Sequence, residues 1–439
     1  MTFHPSARSV RAALGGVAGV LLLGGFCHAV PGTSSMSARP VSARSSHPTV
    51  TWVQSWGAAM QRPTPGTEDN GPNWSTEGFA DQSVRQVIRM SAGGSKVRIR
   101  LSNLYGTRPL EVTGAGIARS AGGALAWPGT QRRLTFGGRS SGTVRVGGEL
   151  VSDSVALPTA PLEKLAVTLR FARPTGPATF HRFTTETSYR ATGDHLSDVG
   201  SSAYSGSTAS WYYLTGVEVA GGGGATEGTV VTFGDSLVDG VGSTAGADSR
   251  LPDDLAERLA AAHRPVAVIN AGIGGNRLLS DTACYGDRAT TRFRRDVLDR
   301  PGVRSVIIHL GANDIAAAKI QDDCLKPSPL VTARQLIDGY RALIRAAHAR
   351  GIKAIGVTIP PMKGALFPMW SPAAEKVRDE VNHWIRTSGE YNAVLDADRA
   401  LADPSERDRP RPGYVFMDGL HPNDAGYQAI ARAVALGSI

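Results

Sequence analysis

Four consecutive glycines, Gly221–Gly224, divide the 439-residue chain into two stretches with different periodicities. That switch limits the available folds more than any other feature. From about Thr49 to Ala220 the apolar residues fall in short extended runs: Ser83–Met90, Lys96–Ser102, Leu110–Ile117, Arg133–Phe136, Thr143–Val146, Leu165–Phe171 and Trp211–Val219, divided by Gly, Pro, Asn and Ser clusters. Val97, Ile99 and Leu101 alternate with Arg98 and Arg100, the period-two mark of a half-buried strand. Many short strands at this spacing predict a β-sandwich or jelly roll. After the glycines, strand-like runs at Thr229–Phe233, Val266–Asn270, Val303–Leu310 and Lys353–Ile359 alternate with helical stretches at Leu251–His263, Ala333–Arg350, Ala373–Thr387 and Asn423–Leu436. Such alternation predicts an α/β, three-layer α/β/α doubly wound parallel sheet with helices on both faces. The expected organisation is an all-β domain at 49–220, a Gly-rich interdomain linker at 221–228 and an α/β domain at 229–439.

The first 48 residues belong to neither domain. Arg8 and Arg11 precede the apolar run Ala12–Phe26 and the small-residue end Cys27-His28-Ala29. The run is shorter than the ~20 residues a spanning helix needs, so residues 1–29 are expected to be a secretory signal peptide. A lipoprotein anchor at Cys27 is the rival reading, and bulky Phe26 opposes it. Residues 30–48, rich in Ser, Pro, Arg and Ala without apolar period, are expected to be a disordered linker. Loss of Cys27 with the signal leaves Cys284 and Cys324, an even pair in an oxidising compartment, and a disulfide between them is expected. The formal charge of +9 is carried by scattered arginines. It reads as a solvated surface, not a nucleic-acid site. The protein is expected to be secreted and monomeric, without stable membrane anchoring.

Four blocks of the second region sit at strand ends or just before the last helix: Gly234-Asp235-Ser236-Leu237, Asn270-Ala271-Gly272-Ile273-Gly274-Gly275-Asn276, Gly311-Ala312-Asn313-Asp314 and Asp418-Gly419-Leu420-His421. Open α/β sheets place ligands at the carboxyl ends of their strands, so these blocks converge on one rim. A serine hydroxyl becomes nucleophilic when an imidazole takes its proton, and the imidazole works best with a carboxylate on its second nitrogen. Ser236, His421 and Asp418 supply those three groups. The developing oxyanion needs donors, and the Ser236 N–H, the Gly275 N–H and the Asn313 amide offer three. Glycine at 275 is expected because it lets backbone approach substrate.

In order and approximate spacing these blocks resemble the GDSL, or SGNH, hydrolase superfamily of esterases and lipases, over about Thr229 to the C-terminus. The resemblance implies Ser236 as nucleophile, Gly275 and Asn313 as oxyanion-hole donors, and Asp418 with His421 completing the triad. The choice of Gly275 over Gly272 or Gly274 rests on alignment from Asn270. With a β domain opening on Trp52 and Trp56, the whole chain resembles the exported subgroup similar to a xylanase-associated arylesterase. The implied activity is carboxylic ester hydrolysis through an acyl-enzyme, with a small-molecule or polysaccharide-linked ester as substrate and neither metal nor cofactor.

Other features have plainer readings. Gly138-Arg139-Ser140-Ser141-Gly142 fits Gly-x-Ser-x-Gly, but it joins two strands with no helix after it and is expected to be a hairpin turn. The glycines at 272, 274 and 275 miss the dinucleotide fingerprint, because Arg277 stands at its last glycine. His309, inside an apolar strand, is expected to be a satisfied core histidine, and Asp235 and Asp314 to tie loops. Asp194-His195 and His181 lack metal-ligand partners at convincing spacing. Pro360–Trp370, with Met362, Leu366, Phe367, Met369 and Trp370, is the one candidate for the apolar lid of a lipase or phospholipase, and is expected instead to pack on the β domain. A third reading, an inactive polysaccharide-binding protein, is opposed by the intact Ser236, Asp418 and His421.

Overall fold

The computed structural model describes residues 51–66, 71–221 and 226–439. The expected signal peptide, the leader and most of the four-glycine run lie outside the described residues. Downstream of the glycines five parallel strands form one sheet in the order Val266–Gly272, Gly228–Gly234, Val303–His309, Lys353–Val357, Ala393–Leu395. The Gly228–Gly234 strand lies inside this order and is buried along its whole length. Its alternate side chains serve opposite faces. Val231 and Phe233 pack with Leu336, Tyr340 and Leu343 of the helix Ala333–His348 and with Val381 and Ile385 of Pro372–Thr387. Val230 packs with Leu255 and Leu259 of Leu251–Ala261 and with Tyr427 and Ile430 of Asp424–Ala433. A strand buried on both faces reads as a continuous apolar run, which is what Thr229–Phe233 is.

The helices start where their side chains dictate. Thr332 and Gln335 form a capping box at the head of Ala333–His348. Ser371 accepts from the Ala374 N–H with Pro372 at the first helical position, and Asn423 accepts from the Gly426 N–H.

Upstream of the glycines the strands are antiparallel. Val53–Gly57, Leu214–Ala220, Gly94–Ser102 and Val155–Thr159 form one sheet, joined by Glu149–Val151. A larger sheet centres on Gln82–Arg89, Lys164–Phe171 and Gly114–Gly122. Both contribute to one core, with Val97, Ile99 and Leu101 beside Val84, Val167 and Leu169. Arg98 and Arg100, on the alternate face, both pair with Glu218, which is fully buried.

Three expectations need correction. The run Trp211–Val219 breaks at Tyr213, whose φ of +59° bends the chain, so Trp211–Tyr212 and Leu214–Ala220 join different sheets. The hairpin turn expected at 138–142 lies earlier, where Phe136 and Arg139 exchange backbone hydrogen bonds across Gly137 and Gly138, both at positive φ, while the flanking strands pair elsewhere: Arg132–Leu134 with Gly114–Gly122, and Gly142–Val144 with Leu110–Val112. Asp153 holds this turn by accepting from the Gly137 and Gly138 N–H groups. The expected linker is also shorter, since Gly228 already pairs with Val266 as the first residue of its strand.

Residues 50–439 form one compact unit, because the two sheet systems are bonded across their boundary. The Val268 N–H donates to Ser91 Oγ at 2.8 Å and the Thr229 hydroxyl to the Gln54 carbonyl at 3.2 Å. Tyr105 OH lies 2.7 Å from Asp287 Oδ2, and Arg300 pairs with Glu149 at 2.9 Å. No helix of the described residues is long and apolar enough to cross a membrane.

Cys284 and Cys324 are bonded, 40 residues apart, with Cα atoms 5.2 Å apart. The bridge closes the excursion between the Asn276 loop and the segment after Asn313. In the chain-entropy model such a loop constrains the unfolded state by up to about 4 kcal/mol. Reduction, or a Cys284→Ser, Cys324→Ser double variant, is therefore expected to lower the free energy of urea unfolding by up to about that amount. Coincident oxidised and reduced unfolding curves would exclude this.

Candidate active site

The strand Gly228–Gly234 delivers the site. Asp235 caps the helix Ser236–Asp239, accepting from the Leu237 N–H at 3.2 Å, and sets Ser236 at the first helical position. The N–H of Ser236 therefore has no intrahelical acceptor. Its Oγ lies 2.8 Å from His421 Nε2, and His421 Nδ1 lies 2.5 Å from Asp418 Oδ2. Asp418 Oδ1 accepts from the Leu420 and His421 N–H groups at 2.9 and 3.0 Å, so the carboxylate is aimed before any substrate arrives. Gly419 makes that turn possible: its φ is +70°, and a Cβ there would stand 2.4 Å from the Gly364 carbonyl. Partial burial raises the Asp418 pKa, but the His421 imidazole and the two N–H donors outweigh it and leave it lowered.

Asn313 enters from the helix Ala312–Ala316 and donates one amide N–H to the Asn276 carbonyl at 3.1 Å. A primary amide carries two N–H donors, so a second is left for a ligand. Asp314 stitches the same two segments by accepting from the Leu278 and Leu279 N–H groups at 2.8 and 3.0 Å. Burial pushes its carboxyl up to about 6 against those bonds. Gly275 has φ +77°, which favours glycine, and a Cβ there would lie 2.4 Å from the Tyr285 ring. Gly275 is followed by Asn276, whose carbonyl is the acceptor of the Asn313 amide.

That cleft is narrow, about 30 Å³, and is lined by Ser236, Asn313 and His421 with Met362, Met369 and Leu420. A roomier cleft of about 420 Å³ lies between Ser91–Ser95 and Arg264–Val266, but it holds no nucleophile–base pair. The expected packing of Pro360–Trp370 on the β region is overturned, since Met362 and Met369 are buried in the core of the parallel sheet. His309 is only half satisfied: Nδ1 is 2.8 Å from Asp235 Oδ1, and Nε2 makes no hydrogen bond among the described residues. No cluster of three or more His, Cys, Asp or Glu among the described residues is placed to hold a metal ion.

Sequence reasoning missed Arg292. Its side chain is fully buried and donates to the carbonyls of Gly234 at 2.7 Å and Ala271 at 2.8 Å, and to Asn276 Oδ1 at 2.9 Å, with Asp296 as counter-charge at 3.1 Å. One guanidinium thus ties the ends of both strands that carry the first two blocks. A lone arginine in a helical stretch gives no sequence signal of this. His181 and Asp239 were missed as well, and they share a hydrogen bond of 3.0 Å. A signal existed for Asp239, which stands three residues after Ser236.

Residues 232–429 match the GDSL-like lipase/acylhydrolase family, a span that holds Ser236, Asn313, Asp418 and His421. This segment of the chain belongs to the GDSL hydrolase superfamily. Solved structures similar to this GDSL hydrolase include a lipase/acylhydrolase from Enterococcus faecalis, 23% identical over 47% of this chain and 92% of that one, with a TM-score of 0.36. The aryl esterase of M. smegmatis is 19% identical over 47% and 95%, TM-score 0.36. An acetyl xylan esterase is 21% identical over 47% and 96%, TM-score 0.36. No curated protein matches the chain.

Two outcomes follow from the geometry of this GDSL site. Arg292→Met takes a charged donor from three buried acceptors and one of the two cations from Asp296, which keeps Arg295 at 3.2 Å, and is expected to cost roughly 3–5 kcal/mol of stability, read by denaturant unfolding; a loss below about 1 kcal/mol would show that the tie carries little. A carboxyl with a lowered folded pKa contributes stability above its unfolded value, near 4, and loses it as pH falls through the folded value. Asp418→Asn should therefore be less stable than wild type at pH 7, with the gap closing below about pH 4. A gap independent of pH would contradict this.

Proposed function

We propose that the chain is an exported serine esterase, acting as a monomer, that cleaves carboxylic esters through a Ser236–His421–Asp418 triad. The observation that carries this reading is the continuous chain of short hydrogen bonds from Ser236 Oγ through the imidazole to Asp418. With Nδ1–H held by the carboxylate, Nε2 is the basic nitrogen and faces the hydroxyl. Ser236 Oγ attacks the ester carbonyl carbon as His421 takes its proton. The carbonyl oxygen becomes an oxyanion facing the N–H of Ser236, the N–H of Gly275 and the Asn313 amide. Collapse breaks the bond to the alcohol, which leaves with the proton from His421, and water then releases the acyl group by the same steps in reverse.

The cleft volume favours a short acyl group. A second reading, a lipase or phospholipase-type acylhydrolase, draws on the rim: Leu366 and Met417 are 76% and 83% exposed, with Phe367 and Phe416 also uncovered. The Leu366 N–H donates to the Asp418 carbonyl at 2.8 Å, so this apolar rim adjoins the acid loop. Export is supported by the Cys284–Cys324 bridge, which oxidising compartments preserve. The finer architecture proposed is a β-sandwich followed by a three-layer α/β/α domain, supported by the shared core of the antiparallel sheets and by helices against both sides of the parallel one.

The test compares 4-nitrophenyl acetate, butyrate and palmitate, aryl acetates, and acetate release from acetylated xylan. Wild type is expected to prefer short acyl groups, and Ser236→Ala to lose at least about 10⁴-fold in kcat. A serine-directed phosphonate should label Ser236 alone. Equal rates for wild type and Ser236→Ala would end the esterase reading, and preference for palmitate would favour the second one.

A further inference from the structure

We infer that His181, a residue of the antiparallel sheets, is a positioning residue for the hydrolytic site, acting through Asp239 on the loop 272–276 that carries an oxyanion donor. The inference rests on the esterase reading above. It gives the β region a part in the site that its fold alone does not suggest.

His181 lies on the two-residue strand Phe180–His181, paired with Trp211–Tyr212, and its ring stacks on Trp211 at 5.5 Å. The ring is buried, with Nδ1 2.8 Å from the Ala59 carbonyl and Nε2 3.0 Å from Asp239 Oδ1. A carbonyl and a carboxylate both only accept, so both ring nitrogens donate and the ring is an imidazolium. Burial alone would lower its pKa, but the Asp239 charge and hydrogen bond and the Ala59 carbonyl outweigh burial and raise it. Arg250, whose charge opposes that of His181, is itself paired with Asp253 at 2.7 Å.

Asp239 has two jobs at once. Oδ1 faces His181, while Oδ2 accepts from the Gly274 N–H at 2.7 Å. It is also the last residue of the turn that Ser236 opens, and that turn is fixed to the neighbouring strand by Asn270, whose amide donates to the Val238 and Asp239 carbonyls at 3.0 and 3.3 Å. One carboxylate therefore links the nucleophile's turn to the backbone immediately before Gly275. A buried carboxylate is costly without a counter-charge. Gly274 offers a neutral N–H, and the hydrogen-bonded counter-charge comes from His181, with the buried Arg250, itself paired with Asp253, acting on Asp239 from farther off. Remove His181, and Asp239 loses the partner that fixes Oδ1, and the aim of the Gly274–Gly275 backbone loosens.

The experiment measures kcat and KM on 4-nitrophenyl acetate for His181→Gln, His181→Ala, Asp239→Ala and Asp239→Asn. Rates are expressed per site titrated to completion with a serine-directed phosphonate, and Tm is taken on the same samples. Removing an oxyanion donor costs about 10²–10³-fold, and misaiming one should cost less. His181→Gln, His181→Ala and Asp239→Ala are therefore expected to lower kcat about 10- to 100-fold with KM within about twofold. Asp239→Asn can still accept the Gly274 N–H while its NH₂ donates to a neutral His181, so it should keep kcat within about fivefold. The His181→Gln, Asp239→Ala double variant should cost less than the product of the singles. A Ser236-dependent rate that His181→Gln leaves at the wild-type value per titrated site, with only Tm or KM changed, overturns the inference alone. Equal rates for wild type and Ser236→Ala overturn the esterase reading and the inference with it.

Discussion

The ends of two parallel strands must meet beside Ser236 without water to satisfy their carbonyls, and a buried guanidinium answers that need. The strand ladder ends at Gly234 and Gly272, where the Gly234 carbonyl accepts from the Ile273 N–H at 3.1 Å and has a second lone pair to fill. Arg292 donates to the Gly234 and Ala271 carbonyls and, through the same planar group, to Asn276. Its planar fork suits several acceptors in one plane, which a lysine ammonium does not match. Its charge is met by Asp296, and its guanidinium lies 4.1 Å from the Phe233 ring centre. Ser236 follows Gly234 by two residues and Asn313 is bonded to Asn276, so both stand next to this tie.

The two glycines at those strand ends show how closely the parts are drawn together. A Cβ on Gly272 would lie 2.2 Å from the Asp239 nitrogen, and one on Gly234 would lie 2.3 Å from the His309 carbonyl. Backbone would have to move in either case. These glycines are therefore needed for packing between the Ser236 turn and its neighbours, not for conformational freedom. At Gly275 both demands meet: its φ of +77° favours glycine, and the Tyr285 ring occupies the space a side chain would need.

Much of this was legible in the chain itself. The parallel strands announce themselves because burial on both faces demands unbroken apolar runs, and the helices because their apolar residues recur at helical spacing. The blocks holding Ser236, Asn313, Asp418 and His421 were visible as Gly, Asn and Asp punctuation at strand ends. What stayed hidden has a common cause. Arg292, His181 and the Tyr285 ring act through contacts between residues distant in sequence, and no local period encodes them. Tyr213 hid for the opposite reason, because its apolar neighbours continue the strand pattern while its own φ breaks it.

The boundary between the two periodicities was legible, but its meaning was not. A switch from short strands to strand–helix alternation suggests two domains joined by glycines, and each sheet system does have its own core. Yet Ala267, from the edge strand of the parallel sheet, is buried in the core of the antiparallel sheets. Ser91 accepts from the N–H of its neighbour Val268. An edge strand presents unpaired backbone groups that must be covered or paired. Here the edge next to the nucleophile strand is covered by the antiparallel sheets, while the opposite edge, Ala393–Leu395, carries an exposed Val394. Covering the Val266–Gly272 edge holds the strand from which the loop 272–276 emerges, and the same surface brings His181 to Asp239. A chain that kept only the parallel sheet would lose that cover at the edge that leads into its candidate oxyanion loop.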